Sequence, residues 1–191
     1  SGLVRFSSAI ANNAPHTCVR ELHYPIVGDL TVTEETELFT TEYGGARRKN
    51  PLNAVARPGW SPGYMGPDQL YRQLPLKYPN LTANCFAFWH DGEGAAKTGK
   101  SGGLYFGSHD RTFQETWHVM RAWPDDAGAF ARLEAGFGKY PNCVCGGVWS
   151  CDANVIAPYS GPWTETARFY RNWANTWWDK RPAPDWVKNM T

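Results

Sequence analysis

Two apolar runs of similar design lie near the middle of the chain and constrain its fold more than any other feature. The run from Gly102 to Asp110 begins with two glycines, continues through three large apolar residues and stops at small and polar residues. This pattern predicts a short buried strand that ends at a sharp bend. The run from Cys85 to Asp91 has the same pattern, and the Gly-, Ala- and Lys-rich segment from Gly92 to Ser101 predicts a hairpin loop between them.

Each run ends in a histidine followed by an aspartate, His90-Asp91 in the first and His109-Asp110 in the second. A glycosidase needs two carboxyl groups that face each other about 5 to 10 Å apart. These two aspartates are expected at matching strand ends, so they predict a sugar-contacting pair with the histidines as hydrogen-bonding neighbours. The alternative is that each aspartate caps a turn through its own backbone. A mutarotase-type site would need a histidine acid and a glutamate base, and no glutamate is clearly placed as the base.

Aromatic residues are frequent, with 10 Trp, 9 Tyr and 9 Phe, and this number suits a sugar-handling protein. Trp60 and Trp89 are candidate platforms for stacking on a sugar, although a β-sandwich core also uses aromatic side chains heavily. The net charge of +1 argues against nucleic acid or an anionic membrane as the main partner. No apolar run approaches the roughly 20 residues needed to span a bilayer.

Alternation of apolar and polar residues predicts further strands, and hence a mainly β fold, an antiparallel β-sandwich. Strand 17–27 is expected to pair back onto strand 3–10, and a strand around 37–41 is expected to be weak and partly exposed. The other predicted strands are 113–123, 129–137, 144–149 and 154–159. Segment 44–79 follows no period, so it is either a flap over a groove or an arm packed on the sandwich.

The hydrophobic period changes from two to 3.6 residues at Gly161, and Thr164 is placed to cap a helix. An amphipathic C-terminal helix is therefore predicted over about 164–178. Its expected apolar face consists of Ala167, Tyr170, Trp173 or Ala174, and Trp177. In isolation such a face would form a large apolar patch, and patches of this kind mark interfaces. Trp173, Trp177 and Trp178 are expected to pack either on the sandwich or on a part of the protein beyond this chain.

The cysteine spacing does not predict a metal site, and no cofactor is predicted. The five cysteines are Cys18, Cys85, Cys143, Cys145 and Cys151. Cys143-Val144-Cys145 lacks the usual spacing of a zinc knuckle, and a disulfide from Cys151 to Cys143 or Cys145 is expected if the protein is secreted. Asn80 lies in a glycosylation sequon, Asn80-Leu81-Thr82, as does Asn189. The expected location is extracellular, secretory or periplasmic.

Several short motifs follow one another in an order that resembles a known family. They are His23-Tyr24-Pro25, the strand 102–110, the turn 158–163, the helix 166–174 and Ala183-Pro184-Asp185-Trp186. Together they resemble the N-terminal β-supersandwich region, of the galactose mutarotase-like fold class, that precedes the (β/α)8 barrel of large glycoside hydrolases. The likeness covers most of the chain and is weakest over 44–79. The cysteine cluster 143–151 and the loop 94–101 depart from the family.

The resemblance implies a non-catalytic accessory domain that packs on a catalytic barrel of the same polypeptide and contacts carbohydrate. The catalytic carboxylates would then lie beyond Thr191, and the chain would begin inside a longer protein. The implied organisation is a sandwich domain over 1–160, a connecting helix over 161–180 and a linker over 181–191. The candidate sugar contacts are Trp60, Trp89, His90, Asp91, His109 and Asp110. The alternatives are a stand-alone carbohydrate-binding module and a mutarotase-type aldose epimerase.

Overall fold

The structure is a computed structural model that describes residues 2–56, 72–73, 76–78, 81–91, 100–179 and 182. Within these residues the chain forms thirteen strands, two α-helices and a short 3-10 helix at Glu42–Gly44. The strands are β1 (Val4–Ala11), β2 (Cys18–Val19), β3 (Leu22–Leu30), β4 (Glu37–Thr40), β5 (Ala46–Lys49), β6 (Arg72–Gln73), β7 (Leu76–Tyr78), β8 (Cys85–His90), β9 (Gly102–Ser108), β10 (Thr116–Pro124), β11 (Phe130–Lys139), β12 (Cys143–Val144) and β13 (Val148–Ser160). The α-helices are α1 (Pro51–Ala56) and α2 (Glu165–Ala174).

Two antiparallel sheets form the sandwich. The six-stranded sheet has the order β1-β13-β9-β8-β4-β5. The five-stranded sheet has the order β3-β11-β10-β6, and β7 also pairs with β10. Strands β2 and β12 form a small separate sheet. The prediction of a mainly β, antiparallel sandwich with a C-terminal helix is confirmed.

The main core lies between the two sheets and is built from alternate residues of their strands. The six-stranded sheet contributes Leu38, Phe86 and Phe106, and the five-stranded sheet contributes Met120 and Phe137. Phe86 stacks on Phe106 with ring centroids 4.7 Å apart. Burying side chains of this size stabilises a fold by about 1.5 to 3 kcal/mol each, so this layer supplies much of the stability of the sandwich.

A second apolar cluster lies on the opposite face of the six-stranded sheet, where α2 covers it. Its buried members are Cys85, Ala87, Tyr105, Val155, Ala157 and Tyr159. Phe169 of α2 stacks on Tyr105 with ring centroids 5.1 Å apart. The middle strands of this sheet are thus buried on both faces, and strands buried in this way have unbroken apolar sequences. This explains why β8 and β9 lack a polar alternation.

The C-terminal helix packs on its own sandwich, so its apolar face does not form an open patch. The buried positions of α2 are Thr166, Trp173 and Ala174, whereas Ala167 is exposed. The helix ends at Ala174, before the predicted end near residue 178. Of the two partners predicted for its tryptophans, the structure shows the sandwich for Trp173.

Strand pairing differs from the prediction at the N-terminus. Strand β1 pairs with β13 in the six-stranded sheet, whereas β3 pairs with β11 in the five-stranded sheet. The two N-terminal strands therefore belong to different sheets and do not pair with each other. Strand β4 is not a weak exposed strand, because it lies between β8 and β5 and is largely buried.

The described part of segment 44–79 is an arm packed on the sandwich rather than a flap. Strand β5 pairs with β4, and α1 buries Pro51 and Val55. Val55 belongs to the main core between the sheets. Trp60 and Asn80, two candidate functional residues, lie outside the described residues, as does nearly all of the predicted linker 181–191.

All five cysteines are free thiols in the structure, and the expected disulfide from Cys151 to Cys143 or Cys145 is not formed. The Ser8 hydroxyl donates to Sγ of Cys151 at 3.8 Å, and Cys143 lies in the small sheet of β2 and β12. Among the described residues, His, Cys, Asp and Glu side chains form no group of three or more that is arranged to hold a metal ion. The helices that the structure describes are too short or too polar to cross a lipid bilayer.

Candidate functional site

The two His-Asp dipeptides lie at opposite ends of the six-stranded sheet rather than side by side. Strands β8 and β9 are antiparallel, and their register pairs His90 with Gly102. His109 follows the far end of β9, which places it about 20 Å from His90 along the strand direction. A hairpin reverses the chain, so the C-terminal ends of its two strands do not meet. The prediction that Asp91 and Asp110 form a pair at matching strand ends is therefore wrong.

Asp110 caps the turn that follows β9 and is buried in an ion pair. Its Oδ1 accepts a hydrogen bond from the backbone N–H of Thr112 at 2.8 Å, and its Oδ2 accepts one from Nζ of Lys139 at 3.0 Å. Burial alone would raise the pKa of Asp110, but hydrogen bonds from Thr112 and the charge of Lys139 outweigh it and hold the pKa below its ordinary value. A buried carboxylate in an ion pair is not accessible to a sugar. Asp110 therefore caps the turn, which is the alternative predicted for it from the sequence.

Lys139 connects Asp110 to a buried polar cluster between the two sheets. Its Nζ donates to the Thr116 hydroxyl at 2.6 Å, and the side-chain amide of Asn84 donates to the same oxygen at 3.1 Å. Nε2 of His118 lies 2.9 Å from Oδ1 of Asn84. Complete burial, assisted by the charge of Lys139, lowers the pKa of His118 to about 3. These hydrogen bonds give the cluster a structural role inside the core, although Nδ1 of His118 has no partner among the described residues.

His109 lies between the end of β9 and α2. Its ring stacks on Trp173 at a centroid distance of 4.7 Å and an angle of 10°. Its Nε2 lies 3.1 Å from the Tyr105 hydroxyl. Burial, with a smaller contribution from the charge of Arg5, lowers the pKa of His109 to about 3. His109 and His118 are therefore neutral near pH 7, and a neutral imidazole is not the proton donor that a mutarotase-type site needs.

Two clefts open at the two ends of the six-stranded sheet. The hairpin-end cleft, of about 430 Å³, lies where β8 ends and β9 begins. Its polar and aromatic lining includes Thr31, Thr36, Trp89, His90, Lys100, Ser101 and Ser160. The helix-side cleft, of about 390 Å³, lies between β1, the turn after β9, and α2. Its polar and aromatic lining includes Arg5, His109, Arg111, Asp152, Asn172 and Trp173. Both volumes fall in the range of about 300 to 1,000 Å³ that is usual for small-molecule sites.

Trp89 forms part of the hairpin-end cleft, but its indole ring is already engaged. Its Nε1 donates to the carbonyl oxygen of Gly161 at 3.0 Å. The Arg47 guanidinium lies 5.4 Å from the Trp89 ring centroid and 5.3 Å from that of Trp163. Because Arg47 covers one face of the indole, Trp89 offers at most one face to a ligand. Asp91 is exposed next to this cleft.

Sequence reasoning missed the basic residues at the helix-side end. Lys139 meets Thr116 only because β10 and β11 pair in the observed register. Arg5 reaches the helix-side cleft because β1 pairs with β13, which carries Asp152. These pairings join residues far apart in the sequence, and no local pattern around Arg5 or Lys139 signals them.

Comparison with protein-family models and with curated proteins yields no match to this chain. The resemblance to the N-terminal region of glycoside hydrolases therefore stays a prediction from the order of its motifs.

Proposed function

We propose that this chain is a non-catalytic accessory β-sandwich of a carbohydrate-active enzyme and that it contacts glycan at the hairpin-end cleft. The observation that carries the proposal is the composition of this cleft. Its described lining combines Trp89, His90 and several hydroxyl groups, and contains no carboxylate. An aromatic wall with a few placed polar groups suits the apolar face and the hydroxyls of a sugar ring.

The positions of the carboxylates support the non-catalytic part of the proposal. Glycoside hydrolysis generally uses two carboxyl groups across the scissile bond. Among the described residues, the hairpin-end cleft has none and the helix-side cleft has only Asp152. The buried carboxylates of the described chain, Glu42 and Asp110, pair with Arg48 and Lys139. A carboxylate held in an ion pair favours its charged form and is a poor proton donor.

The catalytic part is proposed to be a (β/α)8 barrel of the same polypeptide, as the order of the motifs implies. A barrel would meet this chain at surfaces other than the apolar face of α2, because that face packs on Tyr105 and Tyr159. A location outside the cytoplasm belongs to the same proposal.

The direct test is glycan binding by the 191-residue chain, measured by isothermal titration calorimetry with a panel of neutral oligosaccharides. Trp89→Ala should weaken binding about tenfold, equivalent to about 1.4 kcal/mol, because it removes one wall of the cleft. Trp178→Ala is the matched control, since Trp178 is 56% exposed and lies outside the lining of the cleft. Equal affinities of the two variants would rule out the cleft as the glycan site.

Hydrolysis provides the second measurement. The chain should not release the chromophore from any aryl glycoside, whereas turnover above the uncatalysed rate would show that it is itself an enzyme.

A further inference from the structure

The helix-side cleft carries a pattern of charge that the proposed function does not use. We propose that this cleft binds a sugar acid, that is, a hydroxylated carboxylate of monosaccharide size. The choice of a sugar rests on the proposed function, whereas the argument for a carboxylate rests on this cleft alone. The side chains that carry the proposal are Arg5, Arg111, Asp152, Asn172 and His109.

Two guanidinium groups reach the cleft from different elements, Arg5 from β1 and Arg111 from the turn after β9. Both residues are exposed, and neither side chain forms an ion pair with another residue that the structure describes. A guanidinium binds a carboxylate through two parallel hydrogen bonds. Asp152 offsets only one of the two positive charges on this cleft, so the cleft favours a bound oxyanion.

The remaining polar groups indicate which oxyanion fits. Two arginines and one aspartate, Asp152, leave the cleft with a net charge of +1. This charge suits a monoanion better than a phosphate dianion. The Asp152 carboxylate accepts hydrogen bonds, and the Asn172 amide both donates and accepts them, so together they suit ligand hydroxyls. One carboxylate and several hydroxyls on a small ring are the groups of a sugar acid.

His109 provides a second observation, independent of the arginines. The residue is 4% exposed and lines the cleft. Its Nε2 lies beside the Tyr105 hydroxyl, whereas its Nδ1 is buried and has no hydrogen-bond partner among the described residues. Buried polar atoms in native proteins nearly always have a partner. Nδ1 is shielded from solvent in the empty cleft, so a ligand would supply this partner only if the side chains around Nδ1 shift when it binds.

The test uses the 191-residue chain and three probes: methyl glucuronide, methyl glucoside and inorganic phosphate. Binding of methyl glucuronide should saturate, and Arg5→Met and Arg111→Met should each weaken it about tenfold, because each removes a charge-assisted hydrogen bond. Arg20→Met is the matched control, since Arg20 is exposed and lies outside the cleft, and it should leave the affinity unchanged. Added salt should also weaken the binding, because exposed charges are screened.

A nuclear magnetic resonance measurement tests the contribution of His109. The ¹⁵N shift of its Nδ1 should move with methyl glucuronide and stay unchanged with methyl glucoside. His109→Phe keeps an aromatic ring against Trp173 but removes the nitrogen, and it should weaken glucuronide binding without unfolding the protein. An unmoved Nδ1 shift at saturating glucuronide would overturn the part assigned to His109.

Two other outcomes would overturn the whole inference. One is the absence of saturable glucuronide binding up to about 10 mM. A dissociation constant above that concentration corresponds to a binding free energy smaller than about 3 kcal/mol. The other is phosphate binding equal to or tighter than glucuronide binding, which would indicate a general anion site. Failure of the proposed function is separable, because Trp89→Ala tests the hairpin-end cleft and should leave glucuronide binding unchanged.

Discussion

Mild acid should destabilise this protein through two buried histidines, His109 and His118. In the native state the pKa of each is lowered to about 3 from the ordinary value of 6.5, mainly by burial. An unfolded imidazole with a pKa of about 6.5 is roughly one-quarter protonated at pH 7 and almost fully protonated at pH 5. The native imidazoles stay neutral over the same interval. Because the unfolded state binds the additional protons, stability is lost as the pH falls.

The size of this effect follows from the two pKa values. One histidine should lower the free energy of unfolding by about 2 kcal/mol between pH 7 and pH 5, and the two together by about 4 kcal/mol. Typical domains have only about 5 to 15 kcal/mol of stability in total, so the loss should be easy to measure. The nearby positive charges, Lys139 for His118 and Arg5 for His109, also help to lower the native pKa values.

The assay is urea unfolding at pH 7 and pH 5, followed by tryptophan fluorescence. Between pH 7 and pH 5, the free energy of unfolding of His109→Gln and of His118→Gln should each fall by about 2 kcal/mol less than that of the original protein. His16→Gln is the control, because His16 is exposed and should leave the pH dependence unchanged. The same pH dependence in all four proteins would refute the reasoning, whatever the variants do to stability at pH 7.

Two further predictions concern packing and the buried ion pair. A Cβ on Gly103 would lie 2.1 Å from the carbonyl oxygen of Phe88. Gly103→Ala should therefore lower the free energy of unfolding, measured by thermal unfolding, by about 2 kcal/mol or more. Gly28→Ala is the control and should lower it far less, because a Cβ there would have no atom within 4 Å. Asp110→Asn should cost about 3 to 5 kcal/mol, because it leaves Lys139 buried without a counter-ion. Adding Lys139→Met should recover part of that loss in urea unfolding, and a double variant that is less stable still would contradict this account.

Local sequence patterns predict most of the strands and the C-terminal helix. An element buried on one face has a periodic apolar pattern, and a strand buried on both faces has an unbroken apolar sequence. The alternation before Trp123 corresponds to β10, and the change of period at Gly161 precedes α2. The glycine pair before β9 has a packing reason, since side chains there would collide with Phe88 and with β13. Strand β11 was also predicted, although its residues Ala131 to Glu134 favour a helix on propensity alone.

Tertiary relationships were harder to predict, for identifiable reasons. The sequence predicts a hairpin between β8 and β9, and this topology by itself separates His90 from His109, which is why Asp91 and Asp110 cannot form a pair. The apolar face of α2 has the same sequence pattern whether it packs on its own sheet or on another domain. The hydrophobic period therefore cannot distinguish these two partners. The helix-side cleft depends on the pairing of β1 with β13, which joins Arg5 to residues near the opposite end of the chain.

The position of α2 also determines where an independently folding fragment must end. A fragment that stops at residue 160, the predicted end of the sandwich domain, would retain the thirteen strands that the structure describes but would expose Tyr105 and Tyr159 to water. Such a fragment should self-associate, because the apolar face of the sheet that α2 normally covers would be exposed. Helix α2 therefore belongs to the folded core of this domain. A neighbouring domain would contact the solvent-facing side of α2 and would not share a hydrophobic core with the six-stranded sheet.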